Sequence, residues 1–512
     1  MARAQLGLIV LPLGDPAYQQ LWALERSGCV SARVSAARPY DLRSIRAALT
    51  QAATDRRCQG VLLSALQQRF AVRAADTVRA LRIGGSLTAQ ATGQSRGAFL
   101  PLWNDVRSSG AGDPPLVGTL RTRLSYGDGD RFAAVLDGYV ESNIRNDPLV
   151  RARNFRGKPA VVDASEAYVA ARALGITFSL GREREAWLGD STESMWLGAN
   201  GPPLDRLAAS FQSRRFEGHF LFGMLDDAVL TSAQDSIQPQ FGPQRYYRYL
   251  AAHMITWRPS RVIEWSAGET ALLARGSHVV DLYYVNPFVP YLAVKHDTGR
   301  TGDDALDNLT FFTGLRVHAG RATFVGEWLV DDIQIDAKDR RVTPDQLGWH
   351  LAATAPAPLP VPATLALSYE RINSYTYMDG FYAAVWQYYN RPIGSALGPD
   401  ADYVHADADL FPTPALRLAA GLGLWRRGLR RIFERPGVSP VGQANQPFPT
   451  SLPDEPAQRG VLANASAQLL SVVLPLTLRV DAAHITNVDN VPTPAATYAR
   501  VQLVATYAFR YP

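Results

Sequence analysis

Two stretches of this 512-residue chain combine side chains that could bind or transform a ligand, and one acidic run invites a catalytic reading. Glu327, Asp331 and Asp332 stand close on one extended segment, as a carboxylate pair for glycoside hydrolysis would. Adjacent residues of a strand point to opposite faces, however, so Asp331 and Asp332 do not converge, and lumen polarity or strand-end solvation explains them. Gly127-Asp128-Gly129-Asp130 lacks the later ligands of a calcium loop and reads as a tight turn. No G-x-S-x-G, P-loop, H-E-x-x-H or paired C-x-x-C occurs. The expectation is a protein that is not an enzyme and carries no cofactor or metal.

The two binding candidates differ in chemistry. Tyr375-Thr376-Tyr377-Met378-Asp379-Gly380-Phe381-Tyr382, followed by Trp386, Tyr388, Tyr389, Asn390 and Arg391, sets aromatic rings beside hydrogen-bonding groups. Sugar rings stack their C–H faces on aromatics while their hydroxyls pair with amides, carboxylates and guanidinium groups, so this is a saccharide platform or an interfacial aromatic girdle. Trp425 to Arg435 is the densest basic cluster, with Arg426, Arg427, Arg430 and Arg431 able to grip carboxylate or phosphate. An acidic glycan, or lipopolysaccharide at a barrel rim, fits that charge, as does a solvated loop.

Composition narrows the scaffold. Charged residues are 19% of the chain, apolar residues 47% and aromatic residues 10%, with 40 Gly and 34 Pro, which excludes disorder and coiled coil. Fifty-two basic residues against 47 acidic ones leave +5 spread along the chain, with no basic tract, so no nucleic-acid partner is expected. Lys158, Lys295 and Lys338 are the sole lysines, which genome composition explains. Cys29 and Cys58 match no metal spacing and, in an oxidising compartment, form one disulfide or remain two buried thiols.

Residues 1–83 read as a small helical bundle. Asp15-Pro16 opens the first helix, which Gly28 closes, Asp41 opens the second, and the third spans about 55–81. After Gly84-Gly85 the period changes from 3.6 to 2 and stays there. Phe324, Gly326, Trp328 and Val330 alternate with Thr323, Glu327 and Asp331, and Leu476, Leu478 and Val480 with Thr477, Arg479 and Asp481. Phe216, Phe220, Phe222 and Met224 share a face. No apolar run approaches the ~18 residues of a spanning helix, whereas these alternating segments suit a lipid-facing barrel with a wet lumen. Eighteen segments can be counted between residues 84 and 511, with short links at one end and long ones, including 185–204, 227–245, 273–307, 378–400 and 425–459, at the other. The fold expected is all-β: a transmembrane β-barrel of about 18 antiparallel strands, residues 84–512, with a small N-terminal α-helical bundle, residues 1–83. The aromatic end Tyr507 to Tyr511 suits an interfacial girdle and insertion signal. Leu6 to Leu13 resembles a signal peptide without a cleavage site, so the export signal is expected to be missing from this sequence.

Several segments resemble the Wzi-type capsule-assembly proteins of the bacterial outer membrane: Tyr369-Glu370-Arg371-Ile372-Asn373 with Tyr375-Thr376-Tyr377, the run Asn390 to Asp402, and Gly326 to Asp332. Asn286-Pro287, Tyr18-x-x-Leu21 and Arg38-Pro39-Tyr40 add to the resemblance, which thereby spans essentially the whole chain. It implies an eighteen-stranded barrel over a periplasmic helical bundle and a lectin-like role in attaching capsular polysaccharide. Two functions follow as expectations. The first is an outer-membrane saccharide-binding protein for capsule or other extracellular polysaccharide, with lipopolysaccharide at its rim. The alternative is a porin-like channel for anionic polysaccharide or small solutes, in which inward Arg131, Arg417 and Arg479 select anions unless Asp137, Glu141, Glu327 and Asp481 neutralise them.

Overall fold

The computed structural model describes residues 7–27, 34–55, 58, 60–71, 80–95, 115–143, 154–155, 158–159, 162–189, 194–231, 244–278, 281–295, 307–332, 345–379, 381–389, 391–432, 453, 455–471 and 473–511. Eighteen long strands among them form one closed antiparallel barrel. In chain order they are β1 (Ala80–Gln94), β2 (Leu116–Asp128), β3 (Phe132–Glu141), β4 (Asp163–Ala173), β5 (Ile176–Glu183) and β6 (Leu204–Gln212). Then come β7 (Phe216–Met224), β8 (Gln244–Trp257), β9 (Ile263–Arg275), β10 (Asn308–Ala319), β11 (Ala322–Asp332) and β12 (Gln346–Pro356). The last six are β13 (Ala363–Ile372), β14 (Ala401–Thr413), β15 (Leu416–Arg427), β16 (Gln458–Leu469), β17 (Leu476–Thr486) and β18 (Ala495–Tyr511). Each strand pairs with its sequence neighbours, and β18 closes the ring on β1 from Ile83↔Tyr511 to Gln94↔Arg500. Closure removes every edge, so no strand leaves its backbone groups unpaired in lipid.

The polarity of this wall is inverted relative to a soluble sandwich. Leu120, Leu136, Phe178, Leu315, Phe324, Trp328, Leu365, Leu422, Leu478 and Leu503 are exposed on the outside, whereas Asp137, Glu166, Glu217, Arg248, Glu264, Arg316, Asp481 and Arg500 are buried on the lumen side. Only a hydrocarbon solvent makes such an arrangement favourable. The inward charges are paired: Arg123 with Glu166 (2.6 Å) and Asp137 (3.2 Å), Arg258 with Glu217 (2.5 Å) and Glu264 (2.8 Å), Arg500 with Asp481 (3.0 Å). Arg417 and Arg479 face inward too, each on an aspartate, Asp409 and Asp481. Arg131 does not. It lies exposed in the turn between β2 and β3, because the strand begins one residue later, at Phe132.

All eighteen predicted strands are present, and three details differ. The first strand starts at Ala80 rather than at the Gly84-Gly85 pair. The loop expected to begin at 378 begins instead after Ile372, where Thr376 N–H donates to Asn373 O (3.2 Å) and Tyr377 adopts a left-handed φ of 73°, turning the chain inward. Strands β4 and β5 meet at Leu174-Gly175, both at positive φ, a two-residue hairpin whose leucine hides the usual turn signature.

Helices α1 (Ala17–Arg26), α2 (Leu42–Ala53) and α3 (Val61–Phe70) precede the barrel. Asp41 caps α2, its Oδ1 accepting from Ser44 N–H (2.6 Å), and the third helix is shorter than the expected 55–81. Tyr18, Leu21, Ile45, Leu49 and Leu66 share one core with Phe411 near the end of β14 and Leu470 just after β16, so the bundle seats in the short-turn end of the barrel. Gln20 Nε2 donates to Pro414 O (2.6 Å), and Arg26 pairs with Asp409 (3.2 Å). Residues 34–38 continue into the lumen, where Ala37 and Arg38 pair with Trp187 and Ala186 of the long-loop side. Of the two cysteines, Cys29 lies outside the described residues and Cys58 is buried.

The inverted wall makes a direct prediction. Leu422→Arg, at mid-strand on the lipid face, should lower unfolding stability in lipid vesicles by about 2–4 kcal/mol, whereas Leu174→Arg in the exposed short turn should leave it unchanged. Equal denaturant midpoints for the two variants would contradict a membrane-facing exterior.

Candidate functional site at the long-loop end

The chain after β13 does not project outward. From Asn373 to Asp400 it folds into the barrel mouth, tied at Tyr377 N–H to Asp331 Oδ2 on β11 (2.7 Å). The Tyr377 hydroxyl donates to Met195 O and accepts from Ser395 N–H (3.2 Å), and burial raises its pKa well above the usual phenol value, so it remains a neutral donor. A three-residue turn of 3-10 helix, Tyr382–Ala384, then carries Trp386 and Tyr388 inward. Trp386 is 0% and Tyr388 5% exposed, packed with Leu250, Leu272, Phe312 and Trp196. The expectation of a sugar-stacking platform at these two rings is corrected: their faces are spent on a protein core. Tyr389 and Arg391 are half-buried, with Arg391 Nη1 near Asn200 O (3.4 Å). Gly380 and Asn390 lie outside the described residues.

A second inward loop, described over 184–189 and 194–203, meets the first. Trp187 and Trp196 pack edge to face (5.4 Å, 72°), and Trp196 stacks on Phe312 of β10 (5.2 Å, 7°) while its Nε1–H donates to Thr270 of β9. Gly268 makes room for that ring, since a Cβ there would collide with the indole and with His253 O. Asn200 Nδ2 donates to Gly394 O, joining the two loops.

Polar side chains of the wall hold both loops and the 34–38 segment, mostly by their backbones. Arg248, 3% exposed on β8, donates from Nε to Ala383 O (2.7 Å) and from Nη2 to Val385 O (2.8 Å) and Gln387 O (2.7 Å), with Nη1 on Asp226 (3.2 Å). Asn308 Nδ2 donates to Ala384 O (3.2 Å). Glu327 accepts from Gly189 N–H (3.1 Å), and Glu217 accepts from Ala36 N–H (2.9 Å) and Ser35 Oγ. The acidic pair weighed for hydrolysis, Glu327 and Asp331, thus receives loop amides. Between bundle and plug remain two spaces with charged groups in their lining, one beside Arg69, Arg121, Arg123, Asp137 and Glu166 and one beside Trp22, Glu327, His350 and Asp407. Among the described residues no three His, Cys, Asp or Glu side chains are grouped to hold a metal.

The predicted basic cluster sits at the rim and is not four equivalent free cations. Arg426, exposed on the outer face, grips Asp402 through both ends of its guanidinium, Nε to Oδ1 at 2.9 Å. Arg427 is half-buried. Arg430 lies over the Tyr375 ring (5.1 Å), its N–H donating to Asp400 Oδ2 (3.0 Å). Arg431 is bound to Asn490 Oδ1 (2.5 Å) and Gly428 O (2.6 Å). Residues 433–452, including Arg435, lie outside the described set. The loops after β13 and β15 meet in their described parts, through Asp400, Ser374 and Tyr375: Ser374 Oγ donates to Asp400 Oδ1 (3.2 Å) and Gly428 N–H to Asp400 O (2.8 Å). Asn490 adds a knot, its Nδ2 donating to Arg427 O, Gly428 O and Pro456 O (2.8–3.0 Å). One rim cation was missed. Arg459 pairs across β15 and β16 with Arg426 and is well exposed beside Glu455 (2.8 Å); its outward parity with Val461 was the available signal.

Among solved structures, this chain is similar to Wzi of Escherichia coli, an outer membrane protein involved in group 1 capsule assembly and described as a carbohydrate-binding β-barrel. The TM-score is 0.63 at 14% identity, over 97% of this chain and 99% of that one. OccD3 and OprD of Pseudomonas aeruginosa superpose with TM-scores of 0.47 and 0.45 at 11% and 10% identity, over 85% and 84% of this chain and 92% and 96% of theirs. No protein-family model and no curated protein matches the chain. The likeness to Wzi is one of fold: an outer-membrane-type barrel with N-terminal helices.

If Arg248 holds the plug, Arg248→Met takes the guanidinium donor from Ala383 O and Gln387 O and leaves Val385 O only the Gln387 N–H (2.7 Å), which should cost the loop on the order of 3 kcal/mol. Hydrogen exchange at Ala384 and Trp386, whose amides donate to Phe381 O and Tyr377 O (2.8 and 2.9 Å), should then accelerate by about 100-fold. Unchanged exchange would show that packing alone retains the loop.

Proposed function

We propose that this chain is a non-catalytic saccharide-binding barrel of the bacterial outer membrane that retains an acidic capsular or other extracellular polysaccharide at the cell surface. In this reading the short turns and helices α1–α3 face the periplasm and the long loops face outward. The observation that carries it is the filled mouth: loops 184–203 and 373–400 occupy the lumen and are bonded to wall residues Arg248, Asn308, Glu327 and Asp331. A barrel whose loops are committed to closing it presents a surface rather than a path. The fold-level likeness to a carbohydrate-binding barrel supports the same reading.

The contact surface moves with the geometry. Trp386 and Tyr388 act as its foundation, while Arg426, Arg430 and Arg459 at the rim meet carboxylates of the glycan or phosphates of lipopolysaccharide. The transport alternative has one feature in its favour, the space behind the plug that Arg69, Arg121, Arg123, Asp137 and Glu166 help to line. Solute would reach it from outside only after both loops had left the mouth.

Binding of polygalacturonate to the protein in phosphatidylcholine vesicles free of lipopolysaccharide tests the proposal. Arg430→Gln/Arg459→Gln should weaken retention on the order of tenfold at low salt and flatten its salt dependence, because each exposed ion pair contributes up to about 1 kcal/mol and is screened. Neutral dextran should bind neither protein. Unaltered polygalacturonate binding by the double variant would remove the rim from the site, and absence of binding by the parent would overturn an acidic glycan as the ligand.

A further inference from the structure

Strands β7 to β10 carry an anomaly on their outer face. Going up β9 from the short-turn end in steps of two, Ile263 and Trp265 are exposed as a lipid-facing wall requires, but the series continues through Glu269, Ala271 and Leu273, all buried. On β8 the same face runs from exposed Trp257 and Ile255 to His253, buried Ala251 and buried Tyr249. The alternate residues Leu250, Ala252 and Leu272 line the lumen core, so the plug is not what covers Glu269. What covers it is the connection between β9 and β10. There α4 (Leu282–Val285) and α5 (Tyr291–Lys295) fold back against the outside of the barrel, burying Tyr284, Tyr291 and Val294 on Phe220, Phe222, Tyr249, Leu273 and Leu309.

This hairpin is fastened by polar contacts that hydrocarbon could not supply. Glu269 accepts from Tyr291 N–H (2.7 Å) and pairs with His253 (2.8 Å), whose ring lies 4.5 Å from that of Tyr291. Higher up, Tyr284 OH donates to Asp307 (2.7 Å), which also pairs with Arg275. The side turned away from the barrel is apolar as well: Phe288 is 90% and Leu282 76% exposed, and Tyr283 and Leu292 are exposed beside them. From Leu282 to Val294 the chain has no charged residue. A loop bathed in water would not expose that surface. Glu269 lies six residues above the start of β9, about 20 Å along a tilted strand and so about 15 Å in height, within an apolar band about 25 Å tall.

We infer that residues 282–294 form a membrane-embedded hairpin lying on the outer wall of the barrel in the leaflet at the long-loop end, with lipid acyl chains as the partner of Leu282, Tyr283, Phe288 and Leu292. Its exposed face continues the lipid-contacting band of Ile255, Trp257, Ile263, Trp265 and Leu315. Its inner face shields the His253–Glu269 pair from hydrocarbon, where an uncovered carboxylate would be strongly disfavoured. The hairpin thus broadens the barrel's lipid contact beside β7 to β10.

The test places a fluorophore at the exposed tip. Phe288→Cys, and separately Leu282→Cys, is labelled with a nitrobenzoxadiazole dye in the full-length protein in phosphatidylcholine vesicles, with the parent and its two native cysteines setting the labelling background. Leu359→Cys in the turn between β12 and β13, where the leucine is 54% exposed, is the water-facing reference. Both hairpin positions should lose several-fold more emission to phosphatidylcholine bearing a nitroxide on its acyl chain than to aqueous iodide, with the order reversed at 359. Quenching by iodide alone would make the hairpin a water-exposed loop and overturn the inference, and shielding from both quenchers would overturn it in favour of a second protein copy. Glycan retention plays no part in the readout, so failure here leaves the proposed function standing.

Discussion

A guanidinium buried in the wall of a lipid-facing barrel needs acceptors on the lumen side, and Arg248 finds three of them in the backbone of an incoming loop, at Ala383, Val385 and Gln387. The same need recurs around the mouth. Asp331 accepts from Tyr377 N–H, Glu327 from Gly189 N–H and Glu217 from Ala36 N–H. Lipid outside forces the wall's charged residues inward. Once inward they are satisfied either by each other, as Arg123 is by Glu166, or by chain segments drawn into the lumen. Inverted polarity and a filled lumen are therefore one physical arrangement.

That arrangement explains which features were legible beforehand. Every barrel strand could be located because hydrocarbon imposes a strict two-residue period: Leu476, Leu478 and Val480 had to be apolar whatever lay inside. Deviations sit where local signals were weak. Leu174 occupies a left-handed turn position usually held by asparagine or glycine, and the aromatic, β-prone Tyr375-Thr376-Tyr377 leaves the sheet because Asp331, more than forty residues earlier, claims the amide of Tyr377.

The aromatic cluster at Trp386 and Tyr388 was legible in the sequence, but its burial was not. Trp386 and Tyr388 beside Gln387 and Arg391 have the composition of a sugar platform, but flat rings interleaved with hydrogen-bonding groups are also what a loop needs to fill a polar-walled lumen. Nothing local separates the two. The deciding contacts, to Trp196 and Arg248, are long-range. The rim arginines were recognisable from charge density, whereas their inequality was not, since Asp402 occupies Arg426 and Asn490 occupies Arg431 only once the strands are in register. Arg459 escaped notice because its neighbour in space, Arg426, is more than thirty residues away in sequence.

In the proposed function, wall-anchored loops keep the barrel shut and its long-loop end offers a binding surface. Single-channel recording in planar bilayers tests it most directly. No steady conductance is expected from the purified protein, and discrete open steps once residues 186–201 and 374–398 are each replaced by a short Gly-Ser linker, which shows that the assay detects an unplugged barrel. A stable open conductance in the unaltered protein would contradict it.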